Sequence, residues 1–260
     1  MVQGFFKGGR GNRMMPELPE AEIVETKKVE PNHPLLVLGF IGPGLVGSIA
    51  VSHLVKELEM EEIAHLRSKY LPPVAVFLEG RLHHPFRIYS TKDGRLLASF
   101  TEIPIPPEGF YPIASTLLEW AEGKGVGEVV VLEGLPVEGL PVERPKLCVA
   151  EEERCKALEG KGVKMASQGV IAGIAGAILN ECLNRKITGI ALLTPAILFL
   201  PDAEGAAVLL EALSEAFGLK VDVSSLREQG KEMERRLEEM ANAYRTMKAR
   251  ERMGPETIYG

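Results

Sequence analysis

The sequence predicts an α/β fold in which a mixed, largely parallel β-sheet is covered by helices and followed by a long C-terminal helix. Short apolar runs rich in Val, Ile and Leu alternate with longer segments of helical periodicity, as in a doubly wound sheet. The run at 128–132 is almost wholly apolar, which is typical of a strand buried on both faces. After residue 223 the composition changes to dense Glu, Arg, Lys and Met, which indicates a separate charged helix.

The first half of the chain begins with a βα unit. Residues 35–41 predict a strand, and the apolar periodicity of 45–58 predicts the helix that follows it. Lys92-Asp93-Gly94 is a turn signal between two apolar runs and predicts an antiparallel hairpin, which makes the sheet mixed. The remaining predicted elements of this half are strands at 63–66, 74–78, 86–89 and 96–100, a helix at 111–122 and the strand at 128–132.

The second half continues the alternation. The prolines and glycines of the near-repeat at 133–143 predict a loop. Asp202 is a predicted N-cap and Gly218 a predicted C-terminal stop for a helix between them. The other predicted elements are a strand at 146–150, a helix at 151–158, a helix rich in small residues at 169–183 and a strand at 187–193.

The charged helix after residue 224 carries one apolar stripe. Ser225 and Glu228 have the spacing of a capping box at its start. Spacings of four and three residues place the members of the stripe on one side of the helix, as at the a and d positions of a coiled coil. They are Met233, Leu237, Met240, Tyr244 and Met247. The stripe packs either on the chain's own core or against copies of the chain, and the pattern favours neither alternative.

The C-terminal residues form a tail with a distinctive pattern. Gly254-Pro255 ends the helix, and the seven residues from Gly254 to Gly260 reach at most about 25 Å when fully extended. The tail ends in a hydrophobic residue, a tyrosine and a free carboxylate, namely Ile258, Tyr259 and Gly260. Capture of a C-terminal carboxylate is an established mode of peptide recognition, so the tail is predicted to bind a partner.

Composition bounds the remaining possibilities. The chain has 260 residues, and its net charge of −6 argues against nucleic acid and anionic lipid as partners. An apolar signal region is absent, and three cysteines are too few for a disulfide framework, so a cytoplasmic protein is expected. The expected segments are a flexible N-terminal extension at 1–20, an α/β core domain at 21–223, a helical segment at 224–253 and a flexible tail at 254–260.

The sequence Gly42-x-Gly44-x-x-Gly47 is the best indication of an enzyme, because it follows a strand and opens a helix as a dinucleotide-binding loop does. Against this interpretation, Pro43 removes one amide from the turn. The alternative is that the glycines allow close packing of strand and helix. Glu133 ends an apolar strand, where an α/β enzyme could place a carboxylate, but has no identifiable partner in the sequence. Serine-nucleophile, Walker and metal-ligand motifs are absent, so no catalytic residue, cofactor or metal is predicted.

The sequence resembles the archaeal branch of the proteasome assembly chaperones from about Leu35 to the end. The resemblance lies in Gly42-Pro-Gly-Leu-Val-Gly47, the Gly-rich helix from Gly169, Pro201-Asp-Ala-Glu-Gly-Ala-Ala207, and 210–222 followed by the charged helix. It implies a three-layer fold similar to nucleoside phosphorylases, a homo-oligomer, no enzymatic activity, and tails that enter pockets between proteasome α subunits. Ile258 and Tyr259 would fill the pocket, and the Gly260 carboxylate would pair with a lysine. The alternatives are a nucleotide- or nucleoside-handling enzyme that uses Gly42–Gly47, and a helical scaffold for another partner.

Overall fold

The computed structural model describes residues 18–78 and 80–233, together with residues 235, 236 and 239. Within this part, the strands of the main sheet are β1 (Glu22–Glu25), β2 (Leu35–Gly39), β3 (Glu61–Arg67), β6 (Phe86–Ser90), β7 (Leu96–Thr101), β8 (Glu128–Val137), β9 (Leu147–Val149), β10 (Lys164–Met165) and β11 (Thr188–Ile197). Two further strands, β4 (Val76–Leu78) and β5 (Arg81–His83), form a separate hairpin. The helices are α1 (Val46–Glu57), α2 (Phe110–Gly123), α3 (Glu152–Glu159), α4 (Gly173–Arg185) and α5 (Ala203–Phe217), and residues 224–233 are also helical.

The order of strands in the main sheet is β1-β3-β6-β7-β2-β8-β11-β9-β10. The four central strands, β7, β2, β8 and β11, are parallel to one another. Antiparallel pairs add β6, β3 and β1 at one side and β9 at the other. A mixed sheet is therefore confirmed, but the prediction of a largely parallel sheet holds only for the four central strands and for the β9–β10 pair at one side. The connection between β6 and β7, residues 91–95, is too short for a helical crossover, so these two strands are antiparallel neighbours.

Helices cover both faces of the sheet, which gives three layers. One face packs against α1, α3 and α5, and the other packs against α2 and α4. Neighbouring residues of the central strands alternate between the two cores: Val37 faces α1 and α5, whereas Leu36 and Leu38 face α2 and α4. Since a strand alternates its side chains with a period of two, burial on both faces explains why these strands are apolar at most positions.

Two strands extend further than the sequence predicts. The predicted loop at 133–143 begins as strand, because β8 continues to Val137, and β11 continues through Pro195 to Ile197. The pairing of β8 with β2 ends at Leu132, and from Glu133 to Val137 β8 pairs with β11 alone. β9 pairs with β11 only at 191–193, so each proline lies where its strand has one unpaired edge, a position at which strands tolerate proline.

The start of α4 is also later than predicted. The helix begins at Gly173, not at residue 169, and Gly173 has φ of 72° in the left-handed region. By contrast, the antiparallel β6–β7 hairpin and its turn at Gly94 are as predicted. The N-cap of α5 is confirmed as well, since the Asp202 carboxylate accepts a 2.9 Å hydrogen bond from the Gly205 amide.

Candidate functional site

A cavity of about 260 Å³ lies where the central parallel strands end. The segments that follow β2 and β7 form two of its walls, the end of β8 forms the third, and the residues around the start of α4 close it. Ligands of open α/β sheets bind in this position, because a crevice forms outside the carboxyl ends of the strands where the connections of neighbouring strands lead to opposite faces of the sheet. The cavity contains both Gly42 of the predicted loop and Glu133.

The glycines of this loop are required by packing. A Cβ atom on Gly47 would lie 2.3 Å from the Leu132 carbonyl oxygen, and one on Gly39 would lie 2.0 Å from the Gly47 carbonyl oxygen. Gly44 has φ of 64°, and its carbonyl oxygen accepts a 2.8 Å hydrogen bond from the Asp202 amide. Strand and helix therefore approach each other as closely as their backbones allow. The close-packing interpretation of the motif is the one that these contacts favour.

The geometry of the loop does not favour a phosphate. A Cβ atom on Gly42 would lie 2.2 Å from Glu133 Oε1, so the carboxyl group sits directly against the loop. The carboxyl group occupies the space beside the loop that a phosphate would need, and its ionised form would repel one. In addition, the Leu45 amide already donates a 3.0 Å hydrogen bond to the Gly42 carbonyl oxygen, and Pro43 has no amide hydrogen. These contacts argue against the nucleotide-handling alternative.

The Glu133 carboxyl group has an unusually high pKa. Burial raises its pKa to about 7, although a 3.0 Å hydrogen bond from the Gly134 amide to Oε1 acts in the opposite direction. Removal of water penalises the charged form, and no cation lines the described cavity wall to offset the penalty. The sequence shows Glu133 at the end of a strand. The burial of its side chain depends on residues near 42, 103 and 172. No local sequence pattern shows that these residues surround Glu133.

Asp202 joins the loop to the rest of the molecule. Besides capping α5, its carboxylate accepts hydrogen bonds from the Ile197 amide, at 2.9 Å, and from Arg144 Nη1, at 2.8 Å. The Arg144 Nη1 group also donates to the Pro195 carbonyl oxygen at 2.9 Å. The sequence indicates the cap, because its spacing is local. It gives no indication of Arg144, which is 58 positions away.

The C-terminal helix (224–233) packs on α5. Leu226 is buried in the core beneath α1 and α5, and Arg227 forms ion pairs with Glu204 and with Glu211. Gly230 is also buried, and a Cβ atom on it would lie 2.9 Å from the Glu204 Cβ. The predicted capping box is wrong, because the helix already begins at residue 224. The Asp222 carboxylate accepts a 2.9 Å hydrogen bond from the Ser224 amide there.

The first residue of the predicted stripe lies beside the chain's own domain. Met233 is half-buried and shares a small depression with Arg144, Pro201 and Asp202. Its environment agrees with the first of the two alternatives, packing on the chain's own core. The other four members of the stripe, Leu237, Met240, Tyr244 and Met247, lie outside the described residues. So do the predicted partner-binding residues Ile258, Tyr259 and Gly260.

Across 18–78, 80–233 and the three isolated positions, no group of three or more His, Cys, Asp or Glu side chains is arranged to hold a metal ion. Of the helices in the same part of the chain, none combines the length and the apolar character that crossing a membrane requires.

The fold and the site define the class of the protein: a three-layer α/β protein with a carboxyl-containing cavity at the edge of its parallel strands. The chain matches the PAC2 family over residues 36–241, and it belongs to this family.

Three solved structures resemble it along most of their length. A Thermoplasma acidophilum protein of unknown function is 37% identical, with a TM-score of 0.72 and coverage of 86% of this chain and 92% of that one. Pyrococcus furiosus PbaA, an archaeal homologue of proteasome-assembly chaperone, is 28% identical with a TM-score of 0.78, covering 93% and 100%. Pyrococcus furiosus PbaB, an archaeal proteasome activator, is 26% identical with a TM-score of 0.76, covering 85% and 99%.

Proposed function

We propose that this protein binds the proteasome core particle and acts as an assembly chaperone or an activator. The observation that carries the proposal is the similarity to PbaA and PbaB, which extends over 99% or more of both of those chains at 26–28% identity. The packing of the Gly42–Gly47 loop supports it as well, because close contacts within the chain account for the motif without a nucleotide.

The proposed contact with the core particle is the tail Ile258-Tyr259-Gly260. A tyrosine supplies apolar area and a hydroxyl group, and a terminal carboxylate forms a strong charge-assisted bond with a lysine in a partly desolvated pocket. The proposed receptors are pockets between α subunits of the core particle. One short tail gives modest affinity, because ordering it on binding costs entropy. Several tails on one oligomer raise the overall affinity by about 10² to 10⁴, since the later contacts are intramolecular.

The proposed homo-oligomer uses the apolar stripe of the C-terminal helix. Arg227 of the C-terminal helix contacts Glu211 and Glu204 of α5, and Gly230 lies against Glu204. The helix therefore runs towards the first residues of α5. At Met233 the neighbours are Pro201 to Glu204, where α5 begins. For the other members of the stripe, Leu237, Met240, Tyr244 and Met247, copies of the chain are the surface that we propose.

Pull-down of purified core particles tests the proposal directly. The full chain is expected to retain core particles, and deletion of 258–260 or the substitution Tyr259→Ala is expected to abolish retention. Thr257→Ala is the matched control, because Thr257 lies outside the hydrophobic-tyrosine pattern and should retain binding. Failure of the full chain to retain either core particles or free α subunits would overturn the proposal. Equal retention by the Tyr259→Ala variant would overturn tail docking and leave another contact surface to be found.

Native mass spectrometry separates the tail from the stripe. Deletion of 258–260 is expected to leave the oligomer intact, whereas Leu237→Glu with Tyr244→Glu is expected to give monomers. If the tail deletion also dissociates the oligomer, the proposed division between stripe and tail is wrong. Peptide hydrolysis by mature core particles, measured with and without the protein, then distinguishes an activator from a chaperone, since activation requires faster hydrolysis.

A further inference from the structure

The cavity at the ends of the parallel strands is the feature that the proposed function does not use. Its volume of about 260 Å³ lies near the lower end of the range for small-molecule sites. Most of its wall is apolar. Its apolar side chains include Phe40, Ile105, Phe110, Ile171 and Ile174.

Glu133 is the one ionisable side chain among the described residues that line the cavity. Thr101 contributes a hydroxyl group, but both of its hydrogen bonds lie within its own turn. The hydroxyl donates to the Ile103 carbonyl oxygen and accepts from the Ile103 amide, each at 3.2 Å. Glu133 Oε1 accepts a bond from Gly134, and the rest of that carboxyl group remains available to an occupant.

The start of α4 adds a second polar feature on the wall. Ala172 precedes the helix and provides no side-chain cap, so no capping side chain satisfies the first amides of α4. Gly173, Ile174 and Ala175 of that first turn all line the cavity. Helix N-termini also carry a partial positive charge, which disfavours a cation. An anion is disfavoured as well, because no lysine, arginine or histidine lines the described wall to offset the loss of its hydration.

We propose that this cavity binds a small, uncharged, largely apolar molecule that carries a hydrogen-bond acceptor, such as a carboxamide or a ketone. The Glu133 carboxyl group donates its proton to the acceptor, and the apolar walls enclose the rest of the molecule. This inference does not rest on proteasome binding, because the cavity lies at the ends of the central strands and Leu193 is the last of the described residues that line it.

The charge state of Glu133 gives the proposal a distinctive signature. Burial raises the pKa of this carboxyl group to about 7, so it can donate a hydrogen bond at pH 6. At pH 8 about a tenth of it remains protonated, and affinity for a neutral acceptor should fall about tenfold. No other titratable side chain of the described wall faces it.

Titration of the full-length protein with three probes of similar shape tests the proposal. The probes are benzamide, benzoate and benzamidine, and the readout is the methyl NMR signals of Ile105, Ile171 and Ile174, which line the cavity. Benzamide is expected to shift these signals at pH 6 with millimolar affinity, and benzoate and benzamidine are expected to bind at least tenfold more weakly. Benzamide affinity should drop about tenfold at pH 8.

Glu133→Gln provides the decisive variant, because an amide still donates a hydrogen bond but does not ionise. It should keep benzamide binding and lose the difference between pH 6 and pH 8. Glu138→Gln is the matched control on the exposed loop and should behave as the wild type. The proposal is overturned if no methyl signal of the cavity shifts, or if the three probes bind equally. If the Glu133→Gln variant does not fold, the affinities of the three probes for the wild-type protein at pH 6 and pH 8 test the proposal without it.

Discussion

Arg144 donates a 2.8 Å hydrogen bond from Nη1 to Asp202 Oδ2, and the two side chains are 10% and 2% exposed. The same carboxylate caps α5 and accepts from the Ile197 amide. One buried anion therefore fixes the β11–α5 connection, the start of α5 and, through its own amide, the Gly44 turn.

Replacement of Asp202 by alanine should destabilise the protein by about 3 kcal/mol. The variant leaves the buried Arg144 guanidinium unpaired and also removes the helix cap. Urea denaturation measures the change in the free energy of unfolding. Glu152→Ala is the matched control, since its ion pair with Lys156 is exposed and should contribute less than about 1 kcal/mol. Equal effects of the two substitutions would contradict the role given to Asp202.

Gly47→Ala should destabilise the protein by about 2 kcal/mol, because its Cβ atom would lie 2.3 Å from the Leu132 carbonyl oxygen and force α1 away from the sheet. The control is Gly123→Ala, since this helical glycine has open space around it. Alanine should there be neutral or stabilising by about 0.5–1 kcal/mol. Thermal or chemical unfolding of the two variants provides the comparison. A Gly47→Ala protein of wild-type stability would show that packing does not require this glycine.

Glu133 should make stability fall as pH rises from about 4.5 to about 7. Its pKa is raised in the folded protein, so the unfolded chain ionises first and binds fewer protons in this interval. Above pH 7 the loss amounts to about 3 kcal/mol. Glu133→Gln removes this loss, so the variant should be more stable than the wild type at pH 8 but not at pH 4. Unfolding free energies at both pH values test the sign, and Glu138→Gln should show no such difference.

Leu226→Ala should loosen the C-terminal helix (224–233) from α5. Leu226 is 3% exposed, and truncation of a buried leucine to alanine costs about 2–5 kcal/mol. Amide hydrogen exchange should accelerate in 227–233, while exchange in the central strands β2 and β8 stays slow. Gln229→Ala is the control on the exposed side of the same helix and should leave exchange unchanged. Unaltered protection in Leu226→Ala would show that the helix does not depend on this contact.

Local signals in the sequence predicted much of the fold. The turn at Lys92-Asp93-Gly94 and the cap at Asp202 were predicted because their partners lie within a few residues. The order and type of most elements followed from hydrophobic periodicity for the same reason. The strand through Pro136 was mistaken for a loop, because its edge position depends on where β2 ends, and no local pattern reports this.

The sequence by itself determined the order of most strands and helices, the apolar stripe from Met233 to Met247 and the pattern of the last three residues. The tertiary structure alone decided that Gly42, Glu133 and the start of α4 share one cavity and that Arg144 meets Asp202. Hydrophobic periodicity and helix capping involve residues that are close together along the chain, so they can be recognised in the sequence. Burial and the pairing of charges depend on the order of strands in the sheet, which brings together residues far apart along the chain.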